Sequence, residues 1–432
     1  MPSPFAVPRI ARGDARRLAR AVAAATALLV FAHGATAAGP PLSLAEALRV
    51  AVENSPQLAS QRAMVDAARE MAGSAGELPD PKLKLGVENV PTNGADSWSL
   101  TRDFMTMSKI GVMQEFPREA KRKLRSQRAE NDAQRGTVAI EAARLVVQRE
   151  TASAWLARWF AADVERAIGS QIVEAELAVT SAMAAYRSGK APQSEVIAAQ
   201  SMVIELKNRA TDAAAQSRRA RIGLARYIGV DAERPLGDPP DLARMPFDAA
   251  RLDDVDAQPE IQLARAQEAI AATEVDLARA AKDPDWSAEL TYAVRGAPYS
   301  NMVSLMVSID LPWSPGTRQD REHAAKLREL DAARAMREDT RRMRVAEGGA
   351  MLAEWESARV QAKRINDEML PLAAQRREAA LAAYRGGSGS LVAVLEARRA
   401  ELDVRLALIA QEQAAAKAWA WLQFVFPVME KS

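Results

Sequence analysis

Hydrophobic and polar residues alternate in four short stretches of this chain. In PDPKLKLGVENV (79–90), Lys82, Lys84, Gly86 and Glu88 fall on one side and Leu83, Leu85 and Val87 on the other. A period of two predicts a strand with one apolar and one polar face. A second strand is expected at 107–116 (MSKIGVMQEF), and two more at 286–294 (WSAELTYAV) and 302–311 (MVSLMVSIDL). The alternation is sharpest in the last two. Trp286, Ala288, Leu290, Tyr292 and Val294 oppose Ser287, Glu289 and Thr291, and Val303, Leu305, Val307, Ile309 and Leu311 oppose Ser304, Met306, Ser308 and Asp310. Each stretch has about the 9–11 residues that cross a bilayer at a tilt. Two soluble hairpins packed on helices would show the same period, so the period alone does not choose between them.

Elsewhere the pattern is helical. From Arg118 to about Arg187 there is no proline, and glycine occurs only at Gly136 and Gly169. Some 70 residues of helix would reach ~105 Å, longer than a compact domain of this chain is wide. Val138, Ala142, Leu145, Ala152, Leu156 and Trp159 form a heptad stripe, resumed by Ile172, Ala175, Val179, Ala182 and Tyr186. That spacing predicts long helices packed side by side. Four strands cannot close a membrane barrel, because the smallest have about eight. Amphipathic hairpins joined to long coiled helices therefore predict a tube built from several copies of the chain.

The pattern also runs twice. Pro56 and Pro259, and Pro81 and Pro284, lie 203 residues apart; EFP (115–117) and DLP (310–312) lie 195 apart; LARW (156–159) and LAEW (352–355) lie 196 apart; AYRSG (185–189) and AYRGG (383–387) lie 198 apart. A duplicated unit of about 200 residues is expected. Each unit reads helix, strand, loop, strand, very long helix, tight turn, long helix. Pro81 and Pro284 close the first helices, and Pro117 and Pro312 open the long ones. The expected organisation is residues 38–230, a Pro- and Asp-rich linker at 231–256, and residues 257–432.

Composition narrows the function classes. The 432 residues are 48% hydrophobic but only 5% aromatic, which suits helix-on-helix packing, and there is no cysteine. Disulfides, thiol chemistry and lipidation through cysteine are excluded. A basic n-region (Arg9, Arg12, Arg16, Arg17, Arg20), the apolar run 21–32 and ATA at 35–37 read as a signal peptide over 1–37, with an N-terminal membrane anchor as the alternative. Removing 1–37 takes away five Arg and one Asp, so the formal +2 becomes about −2, which implies no nucleic-acid partner. No enzyme is expected, because the chain has no phosphate-binding loop, nucleophile elbow or zincin motif. Apart from His33, the one histidine is His323, so no cofactor or dedicated metal site is expected. Met105, Met107 and Met113 sit in or beside a strand expected to face lipid, where packing explains them better than copper.

The mature chain resembles the TolC-like outer-membrane factors of bacterial efflux systems. LSLAEALRVAVENSPQL (42–58), the doubled helix–strand–strand–helix plan and the YRSG and YRGG turns carry the resemblance. PDPKLKLGVENVP with SLTRDFMTMSKIGVMQEFPR (99–118) looks like the heavy-metal branch, the CusC/CzcC type. The resemblance implies a mainly α chain with transmembrane β: a homotrimer with a twelve-stranded barrel in outer-membrane lipid, continued into the periplasm by a coiled-coil tunnel. It implies as partners a periplasmic membrane-fusion adaptor and an inner-membrane resistance–nodulation–division pump. Gly189 and Gly387 match the family's tunnel tips, where adaptors dock, and are equally the left-handed residues that end helices. Where the best-known member has a pair of acids, this chain has Ala393 and Glu396. Glu195 and Glu396 are thus candidates for a charged constriction, with a solvated helix face as the alternative. Segment 231–256 resembles the equatorial belt. The implied function is an export duct for heavy-metal cations. The alternatives are a duct for drugs or secreted proteins and, from another class, a periplasmic coiled-coil scaffold or adaptor.

Overall fold

The computed structural model describes residues 40–245 and 255–425, and the expected signal peptide at 1–37 lies outside the described residues. Two helices come first among the described residues, α1 (Leu44–Glu53) and α2 (Pro56–Ala75). Their starts are set by serine caps: Ser43 Oγ accepts from the Glu46 N–H at 3.2 Å and Ser55 Oγ from the Leu58 N–H at 3.3 Å. Pro56 occupies the first turn, where its missing N–H costs nothing, and Pro259 does the same at the start of α5.

Then come β1 (Lys82–Glu88), β2 (Met107–Phe116), α3 (Glu119–Arg187) and α4 (Gln193–Ile228), followed by α5 (Pro259–Ala280), β3 (Trp286–Val294), β4 (Met302–Ile309), α6 (Gln319–Arg364), α7 (Leu370–Arg385) and α8 (Leu391–Val425). The 69 residues of α3 form one unbroken helix, ~104 Å long at 1.5 Å per residue. Both helix-to-helix turns are built alike. Gly189 (φ +71°) ends α3, with Lys190 N–H bonded to Ala185 O at 2.9 Å. Gly387 (φ +74°) ends α7, with Ser388 N–H bonded to Ala383 O at 3.0 Å. The six-to-one bond over a left-handed residue is the Schellman turn, and glycine adopts that φ without strain.

The strands match their expected spans except at two ends. β1 stops at Glu88 rather than 90, because Asn89 turns to φ +57° and its side chain bonds the Met105 carbonyl. β4 stops at Ile309 rather than 311. The two long helices also differ. Pro312 does not open α6, since Pro315 and Gly316 hold the chain in a turn (Thr317 N–H to Ser314 O, 3.2 Å) until Gln319. The second long helix is not continuous either. A π-helical turn, Ile365–Met369, separates α6 from α7, directly before Pro371. A proline there cannot donate to the carbonyl four residues back, and its ring crowds that carbonyl, so one extra residue is looped in.

The core is strung along the helices. α3 packs on α2, α4, α5 and α8. Its thickest part, at mid-length, gathers Trp155, Leu156, Phe160, Leu58, Leu224 and Leu42. Trp155 Nε1 donates to Leu42 O at 3.2 Å, and Trp355 Nε1 donates to Leu242 O at 3.3 Å inside a second cluster with Val255 and Leu422. The beginning of segment 231–256 is ordered by the same logic. Arg234 clamps the chain start through Glu46 Oε1 (2.8 Å) and Pro40 O (2.6 Å), and Leu42 N–H bonds Pro235 O at 2.8 Å. Residues 246–254 of that segment lie outside the described residues.

Candidate functional site: an inverted sheet and two helical tips

The four strands form one antiparallel sheet in the order β1–β2–β3–β4, so the two hairpins are joined edge to edge through β2 and β3. The register aligns the alternation of all four strands. Leu85 lies opposite Ile110, Ile110 opposite Tyr292 and Tyr292 opposite Val303. Leu83, Val112, Leu290 and Leu305 form the next row. One face is thus continuously apolar, and it is the more exposed one: Leu85 is 71% and Leu305 73% accessible. The side chains of Met107, Lys109 and Met113 on the opposite face are half-buried, while Ile110 and Val112 between them are exposed.

Such a sheet is the reverse of one in a water-soluble domain, where the apolar face is covered. β3 rises about 27 Å along its axis, enough at a barrel strand's tilt to supply most of an apolar band of ~25 Å. Aromatic rings mark the helix-proximal rim, where Phe116 and Trp286 stack with centroids 4.2 Å apart and Trp313 is exposed. Trp and Tyr rings favour that level of a bilayer. The outer edges of β1 and β4 have no strand partner among the described residues. No described helix is long and apolar enough to cross a membrane.

The register corrects one expectation. Met107 lies opposite Glu88, and Met113 opposite Lys82 and Glu289, so both occupy the polar face rather than the apolar one. Among the described residues no group of three or more His, Cys, Asp or Glu is placed to hold a metal ion.

At the far end of the helices the two tip turns lie side by side over a small cluster of Ala182, Val196, Ala199, Leu391, Val394 and Leu395. Gly189 and Gly387 are exposed, and a side chain built on either would meet nothing within 4 Å. The two acids diverge. Glu396 is exposed one turn into α8. Glu195, expected as its companion in a charged ring, is only 8% exposed. Its Oε1 accepts from the Leu391 N–H at 3.2 Å, while Oε2 is buried without a hydrogen-bond partner. In this chain Glu195 therefore caps α8 from the first turn of α4, where two helix N-termini converge and favour a negative charge. Ser390 Oγ completes the cap by accepting from the Ala393 N–H at 3.3 Å.

A cleft of about 390 Å³ at mid-length escaped the sequence reading. Trp159, Phe160, Leu242, Arg359, Lys363 and Glu412 line it. Burial, reinforced by the nearby Asp163, pushes the Glu412 carboxyl above its ordinary value, and Arg405 opposes the shift. Its residues come from segments remote in sequence, and no local motif marks them.

No family model matches the chain, and no curated protein matches it in sequence. Solved structures match its fold over most of its length, and several of them are outer-membrane channels. A membrane protein from Pseudomonas aeruginosa is 18% identical with a TM-score of 0.75, covering 88% of this chain and 89% of that one. CusC, whose structures concern folding and transmembrane channel formation, gives 14% and 0.75 over 88% and 91%. The CmeC outer membrane channel of Campylobacter jejuni gives 15% and 0.75 over 89% and 85%. The fold is that of these channels, and it matches CusC and CmeC equally well.

Proposed function

We propose that this chain is the outer-membrane export duct of a tripartite efflux system, a passive conduit and not an enzyme. The observation that carries the reading is the sheet: its apolar face is continuous and the more exposed, its polar face carries the charges, and its two edges have no strand partner among the described residues, at the head of helices ~100 Å long. Open edges next to an apolar face are unstable in water, and closing them with further copies removes both problems. Two copies would give eight strands, whose interior side chains fill. Three copies, giving twelve strands, are the smallest cyclic assembly that leaves a lumen. The homotrimer sits in outer-membrane lipid. Its helices extend into the periplasm, where the tips at Gly189 and Gly387 meet an adaptor serving an inner-membrane resistance–nodulation–division pump. Glu396 is the acid available to a ring near that end.

The proposed cargo is heavy-metal cations, on the resemblance of the first hairpin. The chain acts as conduit and leaves selection to its partners. The scaffold alternative has no use for an apolar face turned outward. The test is a clean deletion strain grown on gradients of copper, silver, zinc, cobalt and cadmium beside bile salts and dyes, together with the fractionation and conductance of the purified protein. Metal sensitivity restored by the intact gene supports the full reading. Sensitivity to dyes and bile salts alone keeps the duct and overturns the metal cargo. A protein that salt washes off membranes and that conducts nothing overturns the duct.

A further inference from the structure

We infer that the polar sheet face is electrically self-cancelling, so that the barrel wall transmits solutes without regard to the sign of their charge, and that Lys84 and Glu289 are the pair that keeps it so. The inference rests on the export-duct reading. It assigns to these residues a role in ion selectivity that the reading does not contain.

The strands place six charges on the polar face: Lys82, Lys84 and Lys109, and Glu88, Glu115 and Glu289. All six are paired. Lys82 Nζ is 2.5 Å from Glu115 Oε1, Lys109 bonds Glu88, and Lys84 bonds Glu289. The first two pairs are diagonal neighbours on adjacent strands. Lys82 lies opposite Met113, two residues from Glu115, and Lys109 lies opposite Gly86, two residues from Glu88.

The third pair is unusual, because it joins β1 to β3 across the whole width of β2. Lys84 faces Gly111, and Gly111 faces Thr291. Two inter-strand steps are about 9.6 Å, which the lysine and glutamate side chains bridge together only if nothing stands between. Gly111 provides that gap. A Cβ there would come within 2.6 Å of Thr291 Oγ1 and 3.0 Å of Leu290 O. Thr291 Oγ1 in turn donates to Glu289 Oε1 at 3.1 Å, which fixes the carboxylate where the lysine reaches it.

Paired in this way, the wall projects little field into the lumen. Opposite charges in contact cancel over distances comparable with the screening length, about 10 Å at 0.1 M salt. A single uncompensated ring of like charge, by contrast, acts as an ion filter. Removing one member of the Lys84–Glu289 pair in a threefold assembly would expose three like charges at one height. The sign preference of the intact duct is then set away from the sheet.

The test uses the full-length protein in planar bilayers under a KCl gradient, reading the reversal potential of wild type, Glu289→Gln, Lys84→Gln and the charge-exchanged variant Lys84→Glu with Glu289→Lys. Glu289→Gln should move the permeability ratio toward chloride and Lys84→Gln toward potassium, each by roughly twofold or more. The exchanged pair should restore the wild-type ratio. Single variants that conduct with an unchanged ratio, or that shift it in the same direction, overturn the inference and leave the duct standing. An exchanged pair that conducts but keeps a single variant's ratio overturns it as well. A wild-type protein that inserts and never conducts overturns the duct reading itself.

Discussion

The sheet and the helical body use the same residue types in opposite ways. Leu305 on β4 is 73% exposed, whereas Leu224 on α4 is fully buried. Glu289 on β3 is held by a lysine and a threonine, whereas Glu195 on α4 is buried with one oxygen unpartnered. On the export-duct reading, this contrast is that of a chain built for two solvents. The body builds an apolar core as a chain in water does, with Leu224 inside, and Glu195 is buried there as a cap where two helix N-termini converge. The sheet has the alternation of a barrel strand proposed to meet lipid on one face and water on the other, with leucine on the more exposed face and the charges of the other face paired.

The largest effect that would sharpen this contrast is in the body. Trp155 fills the thickest part of the core and donates to the Leu42 carbonyl. Trp155→Ala should lower stability by about 3–5 kcal/mol, read from a denaturant titration of helical circular dichroism. A loss under about 1 kcal/mol would mean that the mid-length cluster is not the structural centre it resembles.

Next comes the substitution that separates the two solvents most directly. If the apolar sheet face meets lipid, Leu305→Arg should cost about 2–4 kcal/mol in reversible folding into vesicles. If that face meets water, an exposed leucine replaced by arginine should change stability by no more than about 0.5 kcal/mol. The second result would return the sheet to the soluble alternative.

How much of this contrast was readable beforehand depended on whether a feature is local. Alternation placed all four strands, because a period of two survives whatever the strand later pairs with. It could not show that β2 would join β3, nor that Gly111 would open a path from Lys84 to Glu289, since that needs three strands in register. The long helices were legible from the absence of proline. The π turn before Pro371 was signalled by that proline, yet the doubled plan argued for an unbroken second helix. The burial of Glu195 is hidden from the sequence for a similar reason. Its sequence neighbourhood reads as an exposed first turn, and only the arrival of the α8 N-terminus from 196 residues away buries it. Gly189 and Gly387 were legible as turns because left-handed φ is a local property.

Those turns give a smaller prediction. Gly387→Ala meets no obstruction but forces an alanine to φ +74°, a cost of about 1–2 kcal/mol. The change should appear as a modest drop in the thermal midpoint. If the tips dock an adaptor, a bulkier exposed substitution at the neighbouring Ser388 should weaken adaptor co-purification while leaving the midpoint in place. Unchanged co-purification would move the docking surface elsewhere.

The smallest effect tests the body's tolerance of an unpaired acid. Burial and Asp163 raise the Glu412 carboxyl above its ordinary 4.5, against the opposing pull of Arg405. A carboxyl with a raised folded-state value takes up its proton more readily in the folded chain. Its favourable contribution is complete below the unfolded value and is lost as pH rises through the folded one. Wild type and Glu412→Gln should therefore unfold alike in mild acid. At neutral pH the glutamine variant should be slightly the more stable, because it carries no desolvated charge into the cleft. Urea midpoints at the two pH values decide the point. If wild type is the more stable at neutral pH, the carboxylate has a favourable partner in the folded protein, and the helical body handles its acids as the sheet does.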